Sequence, residues 1–236
     1  MIGIDGCHAG WVVASGKDVP EVWIATSIDE VTRYAAPGDI ALIDIPIGLP
    51  DARHNREVEN QARKLLPGKS SSIFSVPCRK AVYAKDYQSA NEINKSILGK
   101  GLSIQSWHIC PKIREVDGWL QSDVKRYFSL IEAHPELCFH FLKGNDEILE
   151  SKKKKFGLEQ RIRILTSYFF PLDQIYHRCL EKIPRKIAVP DDLLDALCLW
   201  TCAKLSEQYG LKKVGDDGID LLGLTMNMHY VLPLTS

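Results

Sequence analysis

The sequence predicts one α/β domain built around a mixed sheet. The first 45 residues contain three apolar runs of strand type, a short helical segment and a fourth apolar run. A strongly apolar helical stretch follows Pro190. Of the 236 residues, 45% are hydrophobic and 25% are charged, which is typical of a globular protein with a sizeable core. This order of elements favours a mixed sheet covered by helices.

The opening elements are read from apolar runs and turn residues. Residues 2–15, IGIDGCHAGWVVAS, place glycine-bearing turn residues between two apolar runs and predict paired strands. Residues 22–24 form a third strand, and Ser27 or Asp29 is expected to cap a short helix. Residues 40–50, IALIDIPIGLP, are apolar without alternation, as in a strand covered on both faces in a parallel region. This run is the best candidate for a central strand.

The later elements are mostly helical. Helical patterns recur in REVENQARKLL, DYQSANEINKSIL and IREVDGWL, and again in GLEQRIRILTSYFF and DDLLDALCLWTCAKL. FSLIEA, at residues 128–133, returns to a strand pattern before a helix that Pro135 opens. We therefore expect a single domain over residues 1–236, with a helical insertion at roughly 55–120.

Charge and cysteine content exclude several classes of protein. The 30 basic and 30 acidic residues cancel, so a nucleic-acid contact would have to be local. No apolar run is long enough to span a bilayer and no signal-peptide pattern is present, so we expect a cytoplasmic location and no membrane partner. Seven cysteines without a Cys-x-x-Cys pair predict unbridged, mostly buried thiols rather than a zinc site.

Three acidic residues stand in apolar surroundings. Asp5 lies inside the strand IGIDG, although it could also cap its own glycine turn. Asp44 ends the expected central strand, and ligands tend to bind outside such ends. Asp195 lies within the apolar late helix. One or both of Asp191 and Asp192 share its face, but they could simply cap the helix, an explanation that does not reach Asp195.

A second polar group closes the strand FSLIEA and opens the next helix. It consists of Glu132, His134 and Glu136. Glu136 could sit there only because the helix dipole favours an acid in the first turn. Grouped carboxylates repel one another, and either a raised pKa or a hard divalent cation such as Mg²⁺ or Mn²⁺ relieves the repulsion. Two such ions can activate a water and stabilise the leaving oxygen in phosphodiester hydrolysis.

This arrangement of acids resembles the ribonuclease H-like superfamily, and Asp195-Ala196-Leu197 resembles the final helix of its Holliday-junction resolvase branch. The chain as a whole resembles the domain-of-unknown-function family 429, described as predicted ribonuclease H-like nucleases. The motifs that carry this resemblance are IGIDGCHAGWVVA, DIPIGLP, SIFSVP, QSWHICPKIREVD, EAHPELCF, SKKKKFGLEQR and PDDLLDAL.

The resemblance implies a mixed five-stranded sheet flanked by helices and a metal site. It implies that the metal carboxylates are Asp5, Asp44, Asp192 and Asp195, with Asp191 as an alternative to its neighbour. It also implies a role beside the metals for the family's own motif residues, Glu132, His134 and Glu136. Arginine and lysine side chains could contact substrate phosphates or be solvated surface charges, and the candidates are Arg63, Arg79, Lys112 and Arg161.

The leading hypothesis is a nuclease that depends on Mg²⁺ or Mn²⁺ and cleaves phosphodiester bonds by a two-metal-ion mechanism. Its expected partner is a nucleic acid, DNA or RNA, and we allow for a homodimer. One alternative is a non-catalytic ribonuclease H-like module for binding or regulation. Another is an actin-like nucleotide-binding phosphotransferase, against which stand a single copy of the core and no second glycine-rich phosphate loop.

Overall fold

The computed structural model describes residues 1–122, 127–144, 148–152 and 154–234. The chain forms two compact units. The first, here called the sheet unit, comprises residues 1–44, 125–212 and 229–236. The second, the helical unit, comprises residues 45–124 and 213–228.

A five-stranded mixed sheet forms the centre of the sheet unit. Its strands are β1 (Ile2–Cys7), β2 (Gly10–Ser15), β3 (Glu21–Ala25), β4 (Ile40–Ile43) and β5 (Ser129–Glu132). They lie in the order β3-β2-β1-β4-β5. The pairs β1–β2 and β2–β3 are antiparallel, whereas β1–β4 and β4–β5 are parallel. The predicted fold class is confirmed, and the sheet is consistent with the ribonuclease H-like fold.

The helices lie between and after the strands. They are α1 (Ile28–Val31), α2 (Val58–Leu65), α3 (Arg79–Val82), α4 (Tyr87–Leu98), α5 (Ile104–Gln121), α6 (Pro135–Leu142), α7 (Lys155–Tyr168), α8 (Leu172–Lys182) and α9 (Pro190–Tyr209). A separate two-stranded sheet pairs β6 (Lys212–Val214) with β7 (Met228–Tyr230). In the part of the chain that the structure describes, no helix is long and apolar enough to cross a membrane.

The apolar helix α9 is the centre of the sheet unit's core. It packs against β1, β2 and β4, and α6, α7 and α8 pack against it in turn. Every residue from 193 to 203 is buried, as the sequence predicted for so apolar a helix. The Trp200 indole is fully buried and donates a hydrogen bond of 2.9 Å to the Gly16 carbonyl. Burial of α9 therefore holds its polar residues against the sheet.

Two helices differ from the sequence-based expectation. α5 begins at Ile104 rather than near residue 113, and it continues through Pro111. Ser103 caps this longer helix, accepting a hydrogen bond of 3.0 Å from the Ser106 backbone N–H. α8 was not predicted at all, although its buried residues Leu172, Ile175, Tyr176 and Cys179 have helical spacing. All seven cysteines are buried, and none forms a disulfide.

Candidate functional site

The register of two parallel strands places Asp5 beside Asp44. Ile4 of β1 pairs with Ile43 of β4, and the Asp44 backbone N–H donates to the Ile4 carbonyl at 3.1 Å. The next pair in this register is Asp5 with Asp44. Both side chains therefore point to the same face, beyond the end of β4. Asp5 is 8% exposed and Asp44 is partly buried.

The same face of the sheet carries α9. Side chains alternate along β1, so Asp5 shares a face with Gly3, and the Ala196 backbone of α9 lies directly over Gly3. Asp195 immediately precedes Ala196 and is 4% exposed. We call Asp5, Asp44 and Asp195 the acidic centre. Sheet register positions two of its members, and packing of α9 positions the third.

Burial and neighbouring negative charges raise the pKa of every member of the acidic centre. The pKa of Asp5 lies well above its usual range, because of burial first and then the charges of Asp44, Asp195 and Asp192. Burial raises the pKa of Asp195 to about 6, against the opposing effect of Lys152. Burial also raises the pKa of Asp44. Each carboxylate would gain from a nearby cation.

Lys152 supplies a cation from the chain itself. Its Nζ lies 2.5 Å from Asp195 Oδ2 and 3.9 Å from Asp191 Oδ2, and its side chain is 31% exposed. Burial alone would lower the pKa of Lys152, but the charges of Asp195, Asp5 and Asp191 outweigh that effect and raise it. The ammonium therefore stays charged and partly neutralises the acidic centre.

The two aspartates in the first turn of α9 make different contacts. Asp192 Oδ2 accepts a hydrogen bond of 3.0 Å from the Val189 backbone N–H. Asp192 therefore caps the helix, which is the alternative role that the sequence suggested for it. Its charge also raises the pKa of Asp5. Asp191 instead approaches Lys152, together with Asp195. Capping and proximity to the acidic centre are thus both properties of Asp192.

Glu132, His134 and Glu136, at the end of β5 and the start of α6, differ in their position relative to the acidic centre. Glu132 pairs with Ile43, one residue before Asp44, so its side chain points to the face opposite the acidic centre. His134 lies beyond the strand and is the N-cap residue of α6. Its charge, when present, lowers the pKa of Asp44. His134 is therefore close to the acidic centre, whereas Glu132 faces away from it.

Glu136 lies in the first turn of α6 and is held by Arg161 of α7. Arg161 Nη2 donates to both Glu136 carboxylate oxygens, at 2.7 and 2.8 Å. Its Nη1 donates to the Glu150 and Gly157 carbonyls, and the residue is fully buried. The charge of Glu136 raises the pKa values of Asp44 and Asp195, which places it near them. Arg161, a candidate for phosphate contact, thus serves to fix a carboxylate.

The other basic candidates belong to the helical unit. Arg63 donates to the Ile73 carbonyl at 2.8 and 3.0 Å and to Ser75 Oγ at 3.1 Å. Arg79 forms ion pairs with Asp117 and Asp220. The remaining candidate, Lys112, is partly exposed on α5. Phosphate contact by these residues stays a prediction.

Sequence reasoning did not place Lys152 or Tyr176 near the acidic centre. Lys152 comes from the segment before α7, and only its long side chain brings the charge to Asp195. Tyr176 of α8 is 1% exposed, and its hydroxyl has no hydrogen-bond partner among the described residues. Burial raises the pKa of Tyr176 to about 12, and the charges of Asp191 and Asp195 add to the effect. The helical spacing of α8 could have identified Tyr176 as buried.

The donors of the acidic centre suit a hard divalent cation, because carboxylate oxygens are the ligands that Mg²⁺ and Mn²⁺ prefer. The positions of these donors do not by themselves form a metal-binding group in the part of the chain that the structure describes. Within the described ranges, no group of three or more His, Cys, Asp or Glu residues is placed to hold a metal ion. The centre has the chemistry of a cation site, with the Lys152 ammonium in contact with Asp195.

The fold and the site define an α/β protein that carries buried carboxylates beyond the end of β4, on the face covered by its last long helix. The chain belongs to the family described as Protein of unknown function (DUF429), whose model matches residues 3–211. That range includes the whole acidic centre. No curated protein and no solved structure gives a significant match.

Proposed function

We propose that this protein is a divalent-metal-dependent nuclease whose metal ligands are Asp5, Asp44 and Asp195. The observation that carries the proposal is that these three carboxylates lie near one another on one face of the sheet, with pKa values raised by burial and by neighbouring negative charges. Strongly perturbed carboxylates of this kind are characteristic of functional sites. We include Asp192 of α9 as a fourth carboxylate of the metal site, since its charge raises the pKa of Asp5.

The metal would supply the central chemistry. Bound Mg²⁺ or Mn²⁺ lowers the pKa of a water nucleophile and stabilises the leaving oxygen of a phosphodiester. Divalent cations also neutralise grouped carboxylates and so favour their ionised form. The role of Asp5, Asp44 and Asp195 is to present oxygen ligands that the sheet and α9 hold in place.

Residues around the acidic centre orient groups and handle protons. Arg161 fixes Glu136 through two hydrogen bonds, so this carboxylate has a single orientation near Asp44 and Asp195. The His134 imidazole carries two ring nitrogens that suit proton transfer, and it lies close enough for its charge to lower the pKa of Asp44. We assign His134 to proton transfer and Glu136 to positioning.

Nucleic acid, DNA or RNA, is the substrate that this chemistry favours. The chain has no net charge, so contacts with phosphates must come from local groups. In the helical unit, Arg63 lines a cavity of about 110 Å³ together with Asn60, Ser75 and Lys100, and with Arg56 and Glu59, which form an ion pair with each other. Cationic and amide groups of this kind suit a phosphate. This cavity supports Arg63 as the first basic candidate to test.

A second candidate function is a non-catalytic module that binds nucleic acid or regulates another protein. The observation that favours it is the contact between Lys152 and Asp195, because a permanently neutralised centre would have no need of a metal ion. The two candidates differ in whether the purified protein cleaves a nucleic acid in the presence of Mn²⁺.

The test is a cleavage assay with manganese and a panel of single-stranded, duplex, hybrid and branched nucleic acids. Wild-type protein is expected to cleave at least one substrate, and Asp44→Asn is expected to abolish that cleavage. Asp18→Asn is the matched control, because Asp18 has a side chain that is 77% exposed and pairs with Lys204. Cleavage that survives in Asp44→Asn would contradict the proposal. Binding of a substrate without cleavage would favour the non-catalytic module.

A further inference from the structure

One lysine of the segment before α7 reaches the acidic centre. Lys152 Nζ contacts Asp195 Oδ2 at 2.5 Å. The next two described lysines of the same run stay at the surface: Lys154 is 69% exposed and pairs with Glu150, and Lys155 is 90% exposed and lies near Glu159. Lys152 thus differs from Lys154 and Lys155 by its contact with a buried carboxylate.

The charge of the Lys152 ammonium affects carboxylates other than its hydrogen-bond partner Asp195. The charge of Lys152 lowers the pKa values of Asp5, Asp44 and Asp195, so all three members of the acidic centre respond to it. Asp191 Oδ2 lies 3.9 Å from the same Nζ. A cation at this position does electrostatically what a metal ion would do, because it favours the ionised carboxylates.

We propose that the Lys152 ammonium is the resident cation of the acidic centre, and that a divalent metal ion has to compete with it for the Asp195 carboxylate. The competition rests on the proposed function only in that the centre takes a divalent ion. Two cations cannot share one carboxylate oxygen without repelling each other. Metal binding to Asp195 Oδ2 therefore requires the Lys152 ammonium to leave that oxygen, and Lys152 lowers the affinity of the centre for metal.

The lysine's location makes this movement feasible. Its side chain is 31% exposed, so the ammonium can leave Asp195 for solvent without crossing the core. Lysine is a flexible, strongly hydrated cation that holds a partner as a point charge rather than by a rigid fork. Arg161 provides the contrast, because its guanidinium is fully buried and binds Glu136 through two hydrogen bonds. Lys152 is therefore a cation that can leave its carboxylate partner, whereas Arg161 is held in place.

The test is calorimetric titration of wild type, Lys152→Gln and Lys154→Gln with Mn²⁺ and with Mg²⁺. Lys152→Gln is expected to bind about tenfold more tightly or better, since a unit charge near the ligands has been removed. Lys154→Gln removes the same charge from the same segment and is expected to match wild type. Binding by Lys152→Gln alone would also support the competition.

Two outcomes overturn the competition, and they are distinguishable. Equal affinity in wild type and Lys152→Gln would exclude competition while leaving the metal centre of the proposed function intact. Absence of binding in every protein at millimolar metal would exclude both the competition and that metal centre.

A second measurement covers the case in which Lys152→Gln is too unstable to titrate. Urea unfolding without metal compares wild type, Lys152→Gln, Asp195→Asn and the double variant. If Lys152 is the resident cation, its removal lowers the unfolding midpoint in wild type and has a much smaller effect in the Asp195→Asn background. Equal losses in both backgrounds would overturn the assignment.

Discussion

The backbone of Ala196 lies directly on Gly3. A Cβ built on Gly3 would stand 2.1 Å from the Ala196 carbonyl oxygen and 2.2 Å from the Trp200 backbone nitrogen. Because both obstacles are backbone atoms, no side-chain rotation could relieve the overlap. The approach of α9 to β1, and with it the position of Asp195 near Asp5, depends on glycine at this position.

Gly3→Ala is therefore expected to lower the free energy of unfolding by more than about 2 kcal/mol, because overpacking a core typically costs about 1–3 kcal/mol and backbone must move here. Urea denaturation measures the change. Gly118→Ala in α5 is the control, since nothing lies within 4 Å of a Cβ there, and it should stabilise by about 0.5–1 kcal/mol. A Gly3→Ala variant as stable as wild type would contradict the described packing.

The Arg161 and Glu136 pair predicts a strong coupling. Arg161→Met leaves a buried carboxylate without its partner, and breaking such a pair costs about 3–5 kcal/mol. The double variant Arg161→Met/Glu136→Met removes both charges and should regain much of that loss. Unfolding in urea measures all three proteins. A loss below about 1 kcal/mol in Arg161→Met would show that the pair is not buried as described.

Tyr176→Phe is expected to leave stability unchanged or to raise it. The Tyr176 hydroxyl has no hydrogen-bond partner among the described residues, so its removal ends the burial of an unsatisfied group. Tyr168→Phe is the matched control, because Tyr168 donates a hydrogen bond of 2.8 Å to the Leu142 carbonyl and should lose about 1 kcal/mol. A larger loss in Tyr176→Phe than in Tyr168→Phe, measured by thermal unfolding, would reveal a partner for Tyr176.

The acidic centre predicts a pH dependence of stability in the absence of metal. The pKa of Asp195 is about 6 in the folded protein, above its ordinary value of 3.8, so the folded state binds this proton more tightly. The resulting stability is complete below the ordinary pKa and is lost as the pH rises through about 6. Asp5 and Asp44 shift in the same direction.

The measurement is the free energy of unfolding of wild type and Asp195→Asn from about pH 4 to about pH 7. Wild type should lose a few kcal/mol more than the variant over this interval, because each pKa unit corresponds to about 1.4 kcal/mol. Millimolar Mn²⁺ should reduce the loss in wild type at the upper end. Parallel curves for the two proteins would contradict the raised pKa of Asp195.

The fold was largely predictable because its signals are local. Apolar runs of strand type gave β1 to β4, and the absence of alternation in residues 40–50 indicated a strand with parallel neighbours, as β4 has. Pro135 opened α6 as expected. α5 was harder to delimit, because Pro111 suggests a helix start whereas capping at Ser103 and burial of Cys110 extend the helix through it.

The acidic centre was predictable in part. Asp44 and Asp195 could be recognised as candidate site residues because burying a charged carboxylate among apolar residues is costly unless it has a partner. Glu132 shows the limit, since a single residue of register decides which face a strand residue occupies. Lys152 shows a second limit of sequence-based prediction, because its contact with Asp195 depends on tertiary packing and not on any pattern near residue 152.

The most direct test of the account is an anomalous difference map from crystals grown with Mn²⁺. The account predicts a manganese peak at the acidic centre, about 2.0–2.3 Å from carboxylate oxygens of Asp5 and Asp44, with Lys152 Nζ withdrawn from Asp195. A map with no manganese near these carboxylates, and with Lys152 still bound to Asp195 at saturating metal, would contradict it.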